Sequence, residues 1–171
     1  MNLKPVLYAE DEEHDVFFLQ RAFTQAGISH PLVLAADGQE AIDYCAGNGP
    51  YVDREKHPLP CLLLLDLNMP KKSGLEVLKW LRSEPAISTL PAIVLTSSLQ
   101  DADIHRAYLQ GANAYLVKPS NPEELVTMAK TLKDFWLTQN RIAPTAVGFF
   151  NIEGSKTRAV DGGTSLENQN D

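Results

Sequence analysis

Cysteine is scarce in this chain, and the few cysteines present do not form the motifs of metal-binding or redox proteins. The 171 residues contain two cysteines, Cys45 and Cys61, whose spacing matches no common metal-binding or redox motif. Nothing in the sequence therefore requires an oxidising compartment. The 15 Lys and Arg residues are outnumbered by 22 Asp and Glu, and the net charge is −7. Because the basic residues form no stripe, we expect no nucleic-acid-binding surface.

Long apolar runs are also missing. No stretch approaches the roughly 20 apolar residues that span a membrane, and residues 1–6 lack the apolar region of a secretion signal. We therefore expect a cytoplasmic protein without a membrane partner. Hydrophobic residues make up 44% and charged residues 22%, which is typical of a soluble globular domain with a complete core.

Short apolar runs alternate with helical patterns between residues 5 and 137. The apolar runs predict five strands, at residues 6–9, 31–35, 61–65, 90–96 and 114–117. Helical patterns follow each strand: one ends at Gly27, one begins after Ser73, and the others lie at about 38–46, 101–109 and 122–137. Five strands alternating with five helices predict an α/β fold with a parallel sheet and right-handed crossovers.

Two segments fall outside this alternation. Residues 47–60 contain two glycines and three prolines, which predict a loop before the third strand. Residues 139–171 are rich in Gly, Asn, Ser and Thr. This composition predicts a domain over residues 1–138 followed by a mostly disordered tail at 139–171.

Polar side chains follow four of the five predicted strands. These residues are Glu10 and Asp11 after the first strand, Asp66 after the third, Thr96 at the end of the fourth and Lys118 after the fifth. In a parallel sheet they share the edge where open α/β folds bind ligands. Three carboxylates in a small volume repel one another unless a cation or protons neutralise them. Carboxylate oxygens suit Mg²⁺, whereas the absence of His and Cys from these strand ends disfavours zinc.

Asp66 is the centre of the predicted chemistry. It follows five consecutive apolar residues, which are typical of a strand buried on both faces. A carboxylate can act as a nucleophile without a general base. With a metal ion, Lys118 and the hydroxyl of Thr96 beside it, Asp66 could hold a phosphoryl group. The alternative interpretations are a helix cap or a surface carboxylate for Asp66, and helix caps for Glu10 and Asp11.

Four segments together resemble the receiver domain of two-component response regulators, over roughly residues 4–137. They read VLYAED at residues 6–11, LLDLNMP at 64–70, VLTS at 94–97 and YLVKP at 115–119. Each segment alone is a weak signal, but their order and spacing are specific. The resemblance implies a flavodoxin-like (βα)5 fold, with a parallel five-stranded sheet of order 2-1-3-4-5 and helices on both faces.

The resemblance also implies a phosphoacceptor and a metal site. Asp66 would receive a phosphoryl group from a sensor histidine kinase or a phosphotransfer protein. Asp11 would bind Mg²⁺ directly, and Glu10 directly or through water. Asp66 itself and the backbone carbonyl of Asn68 would complete the protein ligands.

Further roles implied by the family concern the last two strands. Lys118 would pair with the phosphoryl group, and its bond to Pro119 would be cis. Thr96 would move toward the phosphoryl group, and Tyr115 would change rotamer with it. The resulting signal would be a change in protein–protein contacts.

A closer resemblance is to the stand-alone regulators paired with bacterial phytochrome kinases. It rests on GPY at residues 49–51 within a long loop, LNMPKKSG at 67–74 and DFWL at 134–137. It implies a phytochrome-type kinase partner and a homodimer through the last strand and helix. Phe135 and Leu137, together with Val126, are expected to form an exposed apolar face on that helix.

Two alternative functions remain at this stage. A Mg²⁺-dependent phosphohydrolase also forms an aspartyl phosphate, but such enzymes usually carry a second Asp two residues later, where this chain has Asn68. A scaffold without phosphorylation would require the loss of a site residue, and none is lost. We therefore expect a signalling protein rather than a conventional enzyme, with only Mg²⁺-dependent self-phosphorylation and self-dephosphorylation.

Overall fold

The computed structural model describes residues 3–143 and contains one parallel sheet of five strands. The strands are β1 Val6–Ala9, β2 Leu32–Ala35, β3 Leu62–Leu65, β4 Ala92–Thr96 and β5 Ala114–Val117. They lie in the order β2-β1-β3-β4-β5, and every neighbouring pair is parallel. The predicted flavodoxin-like fold and its strand order are therefore confirmed.

Five α-helices connect and follow the strands. They are α1 Glu13–Gln25, α2 Gly38–Ala46, α3 Gly74–Ser83, α4 Asp101–Leu109 and α5 Pro122–Leu132. Asp37, Ser73 and Asn121 cap α2, α3 and α5, and each side chain accepts a hydrogen bond from the backbone N–H three residues later. None of the described helices is long and apolar enough to cross a membrane.

The core lies on both faces of the sheet, and β3 contributes to both. Leu63 and Leu65 pack with residues of α2, α3 and α4, whereas Leu62 and Leu64 pack with residues of α1 and α5. All four leucines are at most 1% exposed, and burial of each stabilises the fold by about 2 kcal/mol. The residue that follows β3 is therefore held by a strand that is buried on both faces.

Three predicted strands begin later than expected: β3 begins at Leu62 rather than at residue 61, and a proline directly precedes the first residue of the other two. β2 begins at Leu32 and β4 at Ala92, rather than at residues 31 and 90. The N–H of Leu90 donates to the carbonyl of Ile87 and closes a turn, and Pro91 has no N–H to give to a strand.

The end of the chain's last helix also differs from its prediction. α5 ends at Leu132, and a π-helical segment continues from Lys133–Gln139. In a regular helix, neighbouring residues point about 100° apart, so a narrow core-facing side would not include both. Here Trp136 and Leu137 both pack against the core. Val126 packs there as well, so the expected exposed face is wrong for two of its three residues and correct for Phe135, which is 50% exposed.

The long segment before β3 contains one short element that the sequence did not predict. A 3₁₀ turn at Gly49–Tyr51 lies within the predicted loop of residues 47–60. The predicted disordered tail falls largely on residues 144–171, which lie outside the described residues. The disorder of this tail therefore remains a prediction.

Candidate functional site

Three carboxylates meet at the carboxyl edge of the sheet. β1 and β3 are parallel neighbours, with Ala9 opposite Leu65, so the residues that follow them lie side by side. Glu10 and Asp66 are 3% and 5% exposed, whereas Asp11 is exposed. One carboxylate oxygen from each lies within 4.8 Å of the others. This set of oxygen ligands can hold a hard divalent cation.

The loop after β3 closes tightly around Asp66. The backbone N–H of Asn68 donates to Oδ2 of Asp66 at 2.8 Å, and the N–H of Gly74 donates to the carbonyl of Leu67 at 3.0 Å. A Cβ added at Gly74 would lie 2.2 Å from the carbonyl oxygen of Asp66. Only glycine fits there, so the start of α3 packs directly against the backbone of Asp66.

Lys118 supplies the positive charge of the site. Its Nζ lies 2.7 Å from Oδ2 of Asp15 and 3.3 Å from Oδ1 of Asp66, and it also donates to Glu10. Burial opposes the charge of Lys118, but hydrogen bonds to Asp15 and Glu10 and the nearby charge of Asp66 outweigh it. The pKa of Lys118 is therefore well above its usual value, and the side chain stays an ammonium.

Glu10 is the most deeply buried carboxylate of the site. The hydroxyl of Tyr8 donates to its Oε2 at 2.9 Å, and the N–H of Glu12 donates to its Oε1 at 3.1 Å. Burial raises the pKa of Glu10, and hydrogen bonds from Lys118 and the Glu12 N–H limit that rise. Burial and the charge of Glu10 likewise raise the pKa of Tyr8, which keeps its phenol protonated as a donor.

Thr96 and Tyr115 are linked through the loop after β4. Thr96 is 1% exposed, and the N–H of Ser98 lies 3.5 Å from its Oγ1. The half-buried Tyr115 donates from its hydroxyl to the carbonyl of Ser98 at 3.0 Å. Both side chains therefore contact the same residue of the loop, one at its amide and the other at its carbonyl.

Two residues of the site were not singled out from the sequence. Asp15 lies in the first turn of α1, only four residues after Asp11, so it is close in sequence to the residues that follow β1. Tyr8 lies two residues before Glu10, and the period of a strand places both on one side of the chain. The two spacings were available signals, but the acidic run at residues 10–15 obscured the first.

The bond between Lys118 and Pro119 differs from what the resemblance implied. There is no cis peptide bond among the described residues, so this bond is trans. Trans is the form that X–Pro bonds favour by about 0.5–1 kcal/mol.

The fold and the site together define a class of protein, a parallel α/β domain with a carboxylate cluster and a lysine at the carboxyl edge of its sheet. The family model of the response regulator receiver domain matches residues 6–130, and the chain belongs to this family. Response regulator Rcp1 of Synechocystis sp. is 36% identical over 134 residues, which cover 78% of this chain and 89% of Rcp1. The alternative of a phosphohydrolase is not favoured.

Solved structures extend the likeness to phytochrome response regulators. Response regulator RPA3017, in red light signaling of R. palustris, has a TM-score of 0.80 and 38% identity, covering 84% of this chain and 100% of its own. The phosphorylated cyanobacterial phytochrome response regulator RcpA has a TM-score of 0.76 and 34% identity, covering 82% and 98%. The Mn²⁺-bound form of Rcp1 has a TM-score of 0.73 and 34% identity, covering 82% and 99%. The predicted resemblance to phytochrome regulators is confirmed.

Proposed function

We propose that this response regulator accepts a phosphoryl group on Asp66 from a sensor histidine kinase, directly or through a phosphotransfer protein. The observation that carries the proposal is the setting of Asp66 at the carboxyl edge of the sheet. Two further carboxylates lie within 4.8 Å, and the ammonium of Lys118 lies 3.3 Å away. The family and the phytochrome regulators among its relatives support a phytochrome-type kinase as the donor.

The proposed reaction is a phosphoryl transfer between two side chains. An oxygen of Asp66 attacks the phosphorus of a phosphohistidine, an O–P bond forms, the N–P bond breaks, and the departing imidazole takes up a proton. The Asn68 N–H orients the carboxylate from one side. Lys118 is placed to offset the charge of the phosphoryl oxygens from the other side.

We propose Mg²⁺ as the metal of this site. Its protein ligands would be Glu10, Asp11, Asp66 and the backbone carbonyl of Asn68, a set of hard oxygen donors. When bound, the ion would offset negative charge on the phosphoryl oxygens. The Mn²⁺-bound form of Rcp1 supports a divalent ion in the family.

Thr96 and Tyr115 are proposed as the switch. Phosphorylation would draw the hydroxyl of Thr96 toward Asp66, and the loop after β4 would move with it. Tyr115 would move with this loop, because its hydroxyl donates a hydrogen bond to the carbonyl of Ser98. Such a change biases an equilibrium between two surface states, which a partner protein can read.

Labelling with a small phosphodonor tests the acceptor. The protein is incubated with Mg²⁺ and acetyl phosphate, and the acid-labile adduct is located by mass spectrometry. Native protein is expected to label at Asp66, Asp66→Asn not to label, and the loop variant Asp53→Asn to label as native. Labelling of Asp66→Asn, or no labelling of native protein, would sink the proposal. Rapid turnover of unrelated phosphate esters would favour the hydrolase.

A homodimer through β5 and the last helix is a second part of the proposal. Val117 and Phe135 are 37% and 50% exposed on these elements, which leaves apolar area for a second copy. Sedimentation of native protein and Phe135→Asn tests it, with Phe17→Asn, 56% exposed on α1, as the matched control. The proposal expects only Phe135→Asn to weaken the dimer, and equal behaviour of all three proteins contradicts it.

A further inference from the structure

The loop between β3 and α3 contains one residue in an unfavourable backbone conformation. Lys71 has a φ of 61°, in the left-handed region that L-residues other than Asn and Asp seldom adopt. Its side chain is 67% exposed, so packing does little to hold it there. Its ammonium, however, lies 2.6 Å from Oδ2 of Asp37.

Asp37 is a rigid partner for that ammonium. Its side chain is only 9% exposed, and its Oδ1 accepts the N–H of Glu40 at 2.8 Å as the cap of α2. Burial opposes ionisation of Asp37, but hydrogen bonds from Lys71 and the Glu40 N–H outweigh it and lower its pKa. The carboxylate thus binds α2 with one oxygen and the loop after β3 with the other.

The backbones of the two segments also touch. A Cβ added at Gly38, the residue after Asp37, would lie 2.0 Å from the carbonyl oxygen of Lys72. The start of α2 and the loop after β3 are therefore joined at two adjacent points. The loop between Asp66 and Lys71 includes Asn68, whose N–H orients the carboxylate of Asp66.

We propose that Asp37 and Lys71 are positioning residues for phosphoryl transfer. Their ion pair holds Lys71 in its left-handed conformation and so fixes the loop that presents Asp66 and the Asn68 carbonyl. The inference rests on the proposed role of Asp66. Mg²⁺ demands near-ideal ligand geometry, so a looser loop weakens metal binding before it weakens the fold.

We call the ion pair of Asp37 and Lys71 the clamp. Lys71→Met tests it, with Lys72→Met as the matched control. Lys72 is the next residue and pairs with Glu76 at 3.4 Å, where both side chains are about half exposed. Mg²⁺ affinity is measured by calorimetry, and amide exchange of residues 67–73 is measured without metal. Lys71→Met is expected to weaken Mg²⁺ binding about fivefold, to speed exchange, and to slow labelling by acetyl phosphate. Lys72→Met is expected to match native protein, and Lys71→Arg to restore it.

Asp37→Ser separates the clamp from the helix cap, because Ser caps helices as well as Asp does but does not carry the charge. It is expected to show the same loss of Mg²⁺ affinity as Lys71→Met, and the double variant no further loss. Native-like Mg²⁺ binding and labelling in Lys71→Met, or additive losses in the double variant, would overturn the clamp alone. Failure of native protein to label would instead overturn the proposed function.

Discussion

Lys118 and Asp15 form an ion pair at 2.7 Å, which is shorter than the 3.3 Å that separates Lys118 from Asp66. The ammonium, which also donates to Glu10, is thus shared between a carboxylate of α1 and the residues at the ends of β1 and β3. If Asp66 is phosphorylated as proposed, Lys118 would have to approach the new phosphoryl oxygens. Asp15 would then compete with them for the ammonium.

Replacement of Lys118 by Met is expected to destabilise the fold and to make it depend on metal. The variant leaves Glu10 and Asp66 buried without their cation, which costs about 3 kcal/mol. Mg²⁺ offsets the same charges, so it should stabilise Lys118→Met more than native protein. Urea unfolding with and without Mg²⁺ measures both effects, and exposed Lys130→Met is the control. Equal stability of Lys118→Met and native protein without metal would contradict the expectation.

The grouping of the three carboxylates at one edge of the sheet was predictable, because it follows from the direction of the strands. Four leucines in a row predict a strand buried on both faces, and β3 is that strand. Once all strands are parallel, the residues that follow them must share one edge. Glu10, Asp11 and Asp66 were predicted to lie together on this ground.

Two ion pairs that were not predicted join residues far apart in sequence. Lys118 and Asp15 are 103 positions apart, and Lys71 and Asp37 are 34 apart. Long side chains of this kind reach any carboxylate nearby, so only the packed arrangement selects the partner. The left-handed φ of Lys71 carries no sequence signal either, because glycine is the residue that normally marks it.

Tyr115→Phe is expected to loosen the loop after β4. It removes the hydrogen bond to the Ser98 carbonyl and should lower the free energy of unfolding by about 1 kcal/mol. Amide exchange of the loop should accelerate, because the hydroxyl is its link to β5. Tyr108→Phe is the control, since Tyr108 is 51% exposed. If both variants exchange alike, the Tyr115 hydroxyl does not restrain the loop.

Gly74→Ala is expected to disturb the loop that holds Asp66. At the start of a helix, Ala would normally stabilise by up to about 1 kcal/mol relative to Gly. Here the new Cβ would lie 2.2 Å from the Asp66 carbonyl oxygen, so the net effect should be a loss of about 2 kcal/mol or more. Gly49→Ala meets open space at a φ of 55° and should lose about 1 kcal/mol. Thermal or urea unfolding ranks the two, and a stabilised Gly74→Ala would refute the close approach.

The Tyr51–Glu40 hydrogen bond predicts an alkaline loss of stability. The Tyr51 hydroxyl donates to Glu40 Oε1 at 2.6 Å, and this bond, burial and the charge of Glu40 raise the pKa of Tyr51 to about 12. Its unfolded pKa is about 10. The stabilisation is therefore complete below pH 10 and is lost as the pH rises toward the folded value.

Tyr51→Phe measures this contribution directly, because Phe keeps the ring and removes only the titrating hydroxyl. Native protein should be more stable than the variant by about 1 kcal/mol near pH 8. That difference should shrink in urea unfolding as the pH rises from about 10 to about 12. Tyr108→Phe, at an exposed site, should show no such trend. A difference that stays constant or grows over this interval would mean that Glu40 does not hold the phenol protonated, and that the 3₁₀ turn is joined to α2 by packing alone.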